Sequence, residues 1–144
     1  MMSTVDLTCN GDIATLTLNN PGKLNAINLG MWLRLAENMA LLSVDRDIRC
    51  IVLRGAGNEA FAAGGDLEEF VTARATLEQA LHYHGQVAAA LNAIADCPHP
   101  TVALIQGACV GGGLEIAGVC DLRICNESAR FGAPINRLGF SMYP

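Results

Sequence analysis

The sequence predicts an α/β fold, because short apolar strands alternate with longer helical segments along the chain. Two strand-like runs also end in glycine-rich junctions before helix-forming residues, one near Gly65 and one near Gly112. The chain of 144 residues, 51% hydrophobic and 16% charged, suits one ordered domain with a real core. No internal repeat, low-complexity tract or linker is visible in the residue pattern.

Val5–Cys9 and Asp12–Leu18 alternate around Asn10-Gly11, which reads as a hairpin with a type I′ turn. Asn19-Asn20-Pro21-Gly22-Lys23 breaks the second strand. A helix is expected from about Leu29 to Val44, capped by Asn28, with Leu29, Trp32, Leu33, Ala36 and Met39 or Ala40 inward. Ile48–Arg54 is continuous enough in apolar residues to be a strand buried on both faces. Ala60–Ala63 is a further strand-like run, ending in Gly64-Gly65 before the acidic stretch Asp66-Leu67-Glu68-Glu69.

Thr76 and Gln79 fit a capping box for a helix from about Leu77 to Ala95, with Leu77, Leu81, His84, Ala88, Leu91 and Ala95 on one face. His84 reads as a core or rim histidine, and His82 and Tyr83 as facing solvent. Pro98 and Pro100 end that helix. Thr101–Ile105 is β-branched and apolar, so it reads as a buried strand; after it come Gly107, Gly111, Gly112 and Gly113, and a helix begins at Leu114. Asp121–Cys125 is a last strand, and Phe131–Pro144 reads as a loop region.

Bulk properties exclude several function classes. A net charge of −5 without a basic cluster argues against nucleic acid as a partner. The apolar runs are too short for a membrane span, and the start of the chain lacks the pattern of a secretory signal. Cys9, Cys50, Cys97, Cys109, Cys120 and Cys125 are scattered and mostly lie in apolar segments, so buried free thiols in a reducing cytoplasm are expected. With His82, His84 and His99 they show no zinc spacing, so no metal is expected.

A strand, a glycine turn and a helix start together present backbone N–H groups at the positive end of a helix dipole. Such a place stabilises an anion, or an oxygen that becomes anionic during reaction. Glu115 falls in the first turn of the helix beside it. If the junctions at Gly65 and Gly112 converge, two N–H groups can grip a single oxygen. The plainer alternative is that the glycines only permit tight turns and close packing, with Glu115 a solvated first-turn residue. Neither junction spells G-x-G-x-x-G; the only lysine, Lys23, is not in a phosphate loop; and there is no G-x-S-x-G elbow, while Ser128 and Ser141 lack a histidine partner. A backbone oxyanion site with a carboxylate acid/base is what remains.

Asn20-Pro21 with Leu24-Asn25-Ala26, the run Ala60 through Leu67, Gly107 through Glu115, and Cys120 through Arg123 followed by Phe131-Gly132-Ala133-Pro134 carry a further signal. Together, and in this order, they resemble the enoyl-CoA hydratase/isomerase (crotonase) superfamily. The resemblance implies a spiral of ββα units over residues 1–144, truncated on the C-terminal side with a helical part absent. It also implies an enzyme of acyl-CoA and fatty acid metabolism, with enoyl-CoA hydration as the leading reaction. A thioester carbonyl would be held by the N–H groups of Gly65 and Gly112, with Glu115 as acid/base. Leu24, Ala26, Ala63, Gly65, Asp66, Leu67, Glu68 and Gly112 would line the substrate site, with Leu24 and Ala26 near the adenine. Coenzyme A enters as part of the substrate and no separate cofactor is implied. The full-length protein would be a homo-oligomer, a trimer or hexamer.

The sequence departs from that pattern in two places. Ile135 stands where hydratases carry a second glutamate, which keeps isomerisation, decarboxylation and a non-catalytic acyl-CoA-binding scaffold open as alternatives. Glu68 stands where many members carry a basic residue near the CoA phosphates, leaving Lys23 or an arginine to supply that charge. Asn136 and Tyr143 are weaker pocket candidates. A peptidase on a related fold would need a serine after the glycines, where Leu114 and Glu115 stand.

Overall fold

A computed structural model describes residues 2–139. Strands β1 (Thr4–Asn10) and β2 (Ile13–Asn19) form the expected antiparallel hairpin. Its turn is shifted by one residue from the sequence reading. Asn10 pairs with Ile13, so Gly11 and Asp12 are the central residues. Of these only Gly11 has positive φ, at 61°, and a type I′ turn needs it at both positions.

Helix α1 (Leu29–Val44) is capped by Asn28, whose side chain accepts from the Met31 N–H. Of the residues expected inward, Trp32 and Met39 are buried and Leu29 and Ala36 pack partly buried against the core, whereas Leu33 is 39% exposed; Met31, Leu35 and Leu42 complete the buried face. The next strand, β3 (Cys50–Gly55), alternates between buried and half-buried residues rather than being closed on both faces. Its inner residues Ile51 and Leu53 face the core; the other side belongs to a sheet face where Leu104, Leu122 and Ile124 stay exposed.

The remaining elements follow a regular plan. Strand β4 (Ala60–Ala62) leads to helices α2 (Leu67–Ala73) and α3 (Leu77–Ala95). Strands β5 (Thr101–Ile105) and β6 (Ala108–Val110) lead to α4 (Gly112–Val119). Strands β7 (Leu122–Cys125) and β8 (Arg130–Gly132) lead to α5 (Ile135–Leu138). A mixed sheet takes the order β1-β2-β3-β5-β7, and a parallel sheet takes the order β4-β6-β8. Each ββα unit thus adds one strand to each sheet and advances both by one position. This is the spiral that the resemblance implied, a repeat of topology without a repeat of residues. Part of the expected loop after Phe131 is therefore β8 and α5, elements too short to leave a hydrophobic period. Tyr143 and Ser141 lie outside the described residues.

Helix α3 has the expected ends and a complete capping box, but a different inward face. Tyr83, Ala90 and Ile94 are buried, whereas Leu77 and Leu81 are 76% and 64% exposed. The expectation that Tyr83 faces solvent is overturned, and His84 is exposed rather than in the core. Packing decides this: α3 lies along α1, and the residues that meet α1 are not the ones that make the cleanest apolar stripe. The thiols also divide. All six cysteines are free, but only Cys109 and Cys120 are buried, and Cys9 and Cys125 are exposed. Burial pushes the Cys109 and Cys120 thiols up to about 11, which leaves them protonated and inert near neutral pH.

Candidate active site

The two glycine junctions are brought together by strand pairing. β4 and β6 run parallel as neighbours, with Ala60 opposite Ala108 and Ala62 opposite Cys109. Both chains therefore leave the small sheet on the same side, one through residues 63–65 and the other through 111–113. The turns then touch. A Cβ built on Gly111 would lie 3.6 Å from Gly64 Cα, and one on Gly64 would lie 3.4 Å from the Val110 carbonyl oxygen. Gly64 (φ 103°) and Gly111 (φ 50°) also hold backbone conformations that suit glycine.

The first turn is pinned by the segment before α1. The Ile27 N–H donates to Gly64 O at 2.7 Å, and the Asp66 N–H donates to Ile27 O at 2.9 Å. That parallel bridge uses the groups on either side of Gly65, so the N–H of Gly65 itself points away from Ile27. In the second turn the Gly111 N–H donates to Gly132 O, and Glu115 N–H donates to Gly111 O, both at 2.9 Å. Gly112 is the first residue of α4, a position whose N–H has no acceptor within its own helix. Among the described residues neither the Gly65 nor the Gly112 N–H has an acceptor.

Glu115 lies one turn into α4, open to solvent on one side. Protein crowds its carboxyl from the other sides, and this loss of hydration raises its pKa above the usual glutamate value. The carboxyl accepts no hydrogen bond among the described residues, so nothing in them opposes that shift. Raised in this way, it can take up and release a proton nearer to neutral pH than an ordinary glutamate.

The other expected site residues divide by environment. Leu24 is 48% exposed and Leu67 is 52% exposed, on segments flanking the turn, and Ala63 is half-buried. Ala26 is buried, with its N–H donating to Lys23 O at 2.9 Å and its carbonyl accepting from Asn20 Nδ2 at 2.6 Å. Leu24 and Asn25 both have positive φ, 49° and 57°. Asn25 secures this turn through its side chain, which donates to Ala56 O and Ala60 O and accepts from the Asn20 N–H. The Leu24 carbonyl in turn accepts from the Ala63 N–H at 3.0 Å, which ties the loop to the first glycine turn.

Asp66 is buried and caps α2, accepting from the Glu68 N–H. It also holds Lys23, whose ammonium lies 2.8 Å from both an Asp66 and a Glu68 carboxylate oxygen. These two carboxylates raise the Lys23 pKa. Lys23 is therefore already engaged by two carboxylates rather than presented to an anion alone. Ile135 opens α5 and Asn136 is exposed. The exposed His84 places Nε2 3.0 Å from Arg74 Nη2, and partial desolvation, then Arg74, lowers its pKa.

Sequence reasoning did not find the rings behind the glycines. A Cβ on Gly112 would lie 2.9 Å from Trp32 Cζ2, and one on Gly65 would lie 2.7 Å from Phe70 Cζ. Trp32 was expected only as core, and no local signal pairs either ring with a glycine far along the chain. Glu69 was missed as well; its carboxylate accepts from the Leu29 N–H at 2.7 Å, at the start of α1. Among the described residues no cluster of His, Cys, Asp and Glu could hold a metal ion, and no helix is long and apolar enough to cross a membrane.

The family model for enoyl-CoA hydratase/isomerase matches residues 8–143. A solved enoyl-CoA hydratase/carnithine racemase from Magnetospirillum magneticum is 48% identical and superposes with a TM-score of 0.95, covering 100% of this chain and 54% of that one. A 3-hydroxyisobutyryl-CoA hydrolase of Rattus norvegicus is 36% identical over 93% of this chain and 34% of its own length. A Delta(3,5)-Delta(2,4)-dienoyl-CoA isomerase of Arabidopsis thaliana is 32% identical over 81% of this chain and 45% of its own. The chain thus spans about half the length of the solved relative, and less of the two curated ones.

Proposed function

Because this chain belongs to the enoyl-CoA hydratase/isomerase family, we propose that it processes an acyl-CoA thioester, with enoyl-CoA hydration as its leading reaction. The observation that carries this reading is the contact between the two glycine turns, which puts two acceptor-free N–H groups on neighbouring segments, one of them in the helix turn that carries Glu115. In the proposed complex the Gly65 and Gly112 N–H groups both donate to the thioester carbonyl oxygen. As a carbon next to that carbonyl gains negative charge, the charge spreads onto the oxygen and the two donors stabilise the enolate. One such donor contributes about 3 kcal/mol to the transition state. Glu115 takes a proton from the attacking water and returns one to the acyl chain, acting as base and then as acid. Exposed Leu24 and Leu67 lie against the rest of the thioester, with Ala63, Asp66 and Glu68 along the same channel.

Ile135 favours a second reading. It holds no proton and cannot orient water, so chemistry needing one carboxylate, such as double-bond isomerisation or decarboxylation, fits the same donors. A scaffold that binds acyl-CoA without turning it over is the non-catalytic form of this alternative. A short 2-enoyl-CoA and its 3-enoyl isomer, followed by absorbance of the conjugated thioester, separate these outcomes. The hydration reading expects faster loss of the 2-enoyl absorbance than conversion of the 3-enoyl substrate. Conversion of the 3-enoyl substrate alone would establish the isomerase reading, and calorimetric binding without turnover would establish the scaffold.

A further inference from the structure

Tyr83 is 3% exposed, and its hydroxyl has no hydrogen-bond partner among the described residues. An unpaired buried hydroxyl costs about 1–3 kcal/mol, and phenylalanine would fill the same space without that cost. The surroundings of this phenol lead to both glycine turns. Phe70 meets it edge-on with ring centroids 5.5 Å apart, and the same Phe70 ring closes against Gly65. The Trp32 indole lies near enough to favour the phenolate slightly, yet makes no bond of donor–acceptor geometry, and it closes against Gly112. One aromatic ring therefore separates Tyr83 from each of the two glycines. Burial first, and the Glu69 carboxylate next, push the phenol up to about 12, so it keeps its proton and remains a donor near neutral pH.

We propose that Tyr83 is a specificity-determining residue whose hydroxyl donates to a neutral oxygen, a hydroxyl or keto group, carried on the acyl chain several carbons beyond the thioester. This inference rests on the acyl-CoA reading given above. Trp32 and Phe70 are the apolar rings that stand between the two glycine turns and Tyr83, and Tyr83 is the polar group behind them. A plain hydrocarbon leaves the phenol unpaired, which is the kind of mismatch that discriminates between substrates. An acyl chain ending in a carboxylate would meet the Glu69 carboxylate that acts on the same phenol, and burial already raises the Glu69 pKa, so a neutral oxygen is selected over an anionic one.

The test is calorimetric binding of matched saturated acyl-CoA pairs, one unsubstituted and one with a hydroxyl or keto group at carbon 4, 5 or 6, to the whole protein and to Tyr83→Phe. The oxygenated member of at least one pair is expected to bind about tenfold tighter than its partner. Tyr83→Phe is expected to remove that preference while leaving the unsubstituted ligand within about twofold. Its thermal midpoint is expected to stay level or rise, since an unpaired hydroxyl is removed. A preference that survives in Tyr83→Phe, no preference in the wild type, or a clear fall in thermal midpoint each overturns the proposal while leaving the acyl-CoA reading intact. Failure of every thioester to bind the wild type overturns both.

Discussion

Glu115→Gln is expected to lower the turnover number on the preferred acyl-CoA by about 10²–10⁴-fold, the usual contribution of a positioned acid/base. Glutamine keeps the size and the hydrogen-bonding reach of the side chain but cannot exchange a proton. Substrate affinity should change little, because the proposed binding donors are backbone groups. The pH dependence follows from the raised pKa of Glu115. The base must be ionised to act on water, so the acidic limb of the wild-type profile should lie above the ordinary glutamate range, and the residual activity of Glu115→Gln should lack that limb. Stability should move the opposite way. A carboxyl whose pKa is raised by folding binds more protons in the folded state, so its contribution to stability is full below the unfolded pKa. That contribution is lost as pH rises through the folded value. At neutral pH the substitution is therefore expected to raise the thermal midpoint, and at acid pH to leave it unchanged. Equal turnover in wild type and variant would remove Glu115 from the mechanism.

Gly113→Ala is expected to damage activity without touching either proposed donor. A Cβ at this position would lie 2.6 Å from the Ala62 carbonyl oxygen and 2.9 Å from Ala62 Cβ. Ala62 ends β4, directly before the first glycine turn, while Gly113 follows Gly112 in the second. Backbone cannot swing aside as a flexible side chain can, so β4 and α4 must move apart and carry the two N–H groups with them. Overpacking of this kind costs about 1–3 kcal/mol of stability, and a displacement near 1 Å costs about 10²-fold in rate. Gly118→Ala is the matched control. It lies in the same helix with nothing within 4 Å of its Cβ position, and is expected to stabilise by about 0.5–1 kcal/mol and keep full activity. Equal activity of the two variants would show that the contact between the turns is not needed.

Features written in local chemistry were legible in the sequence. Asn28 and the Thr76/Gln79 box marked the helix starts, because a cap needs particular side chains at fixed spacing. The inward face of α1 was legible in the main, through Trp32 and Met39, but that of α3 was not. Helix α3 is rich in apolar residues and lies against α1, so Tyr83 is buried by that neighbour although the cleanest apolar stripe of α3 lies elsewhere. The hairpin was visible in Asn10-Gly11 but off by one, since either residue of such a pair can accept the positive φ. β6 and β8, three residues each, leave no alternation to read. At the site, each glycine turn announced itself as a place where backbone N–H groups are bare. Their meeting was not written in either turn; it comes from the parallel pairing of β4 with β6. Residue order along the chain carried that information only through resemblance to a family whose pairing is fixed.

A crystal structure of the whole protein with a slowly reacting acyl-CoA bound tests that meeting most directly. The expected result is a thioester carbonyl oxygen about 2.7–3.1 Å from both the Gly65 and the Gly112 nitrogens, with the Glu115 carboxyl facing the neighbouring acyl carbons. An oxygen held by only one of the two amides, or a thioester seated away from both turns, would contradict the account.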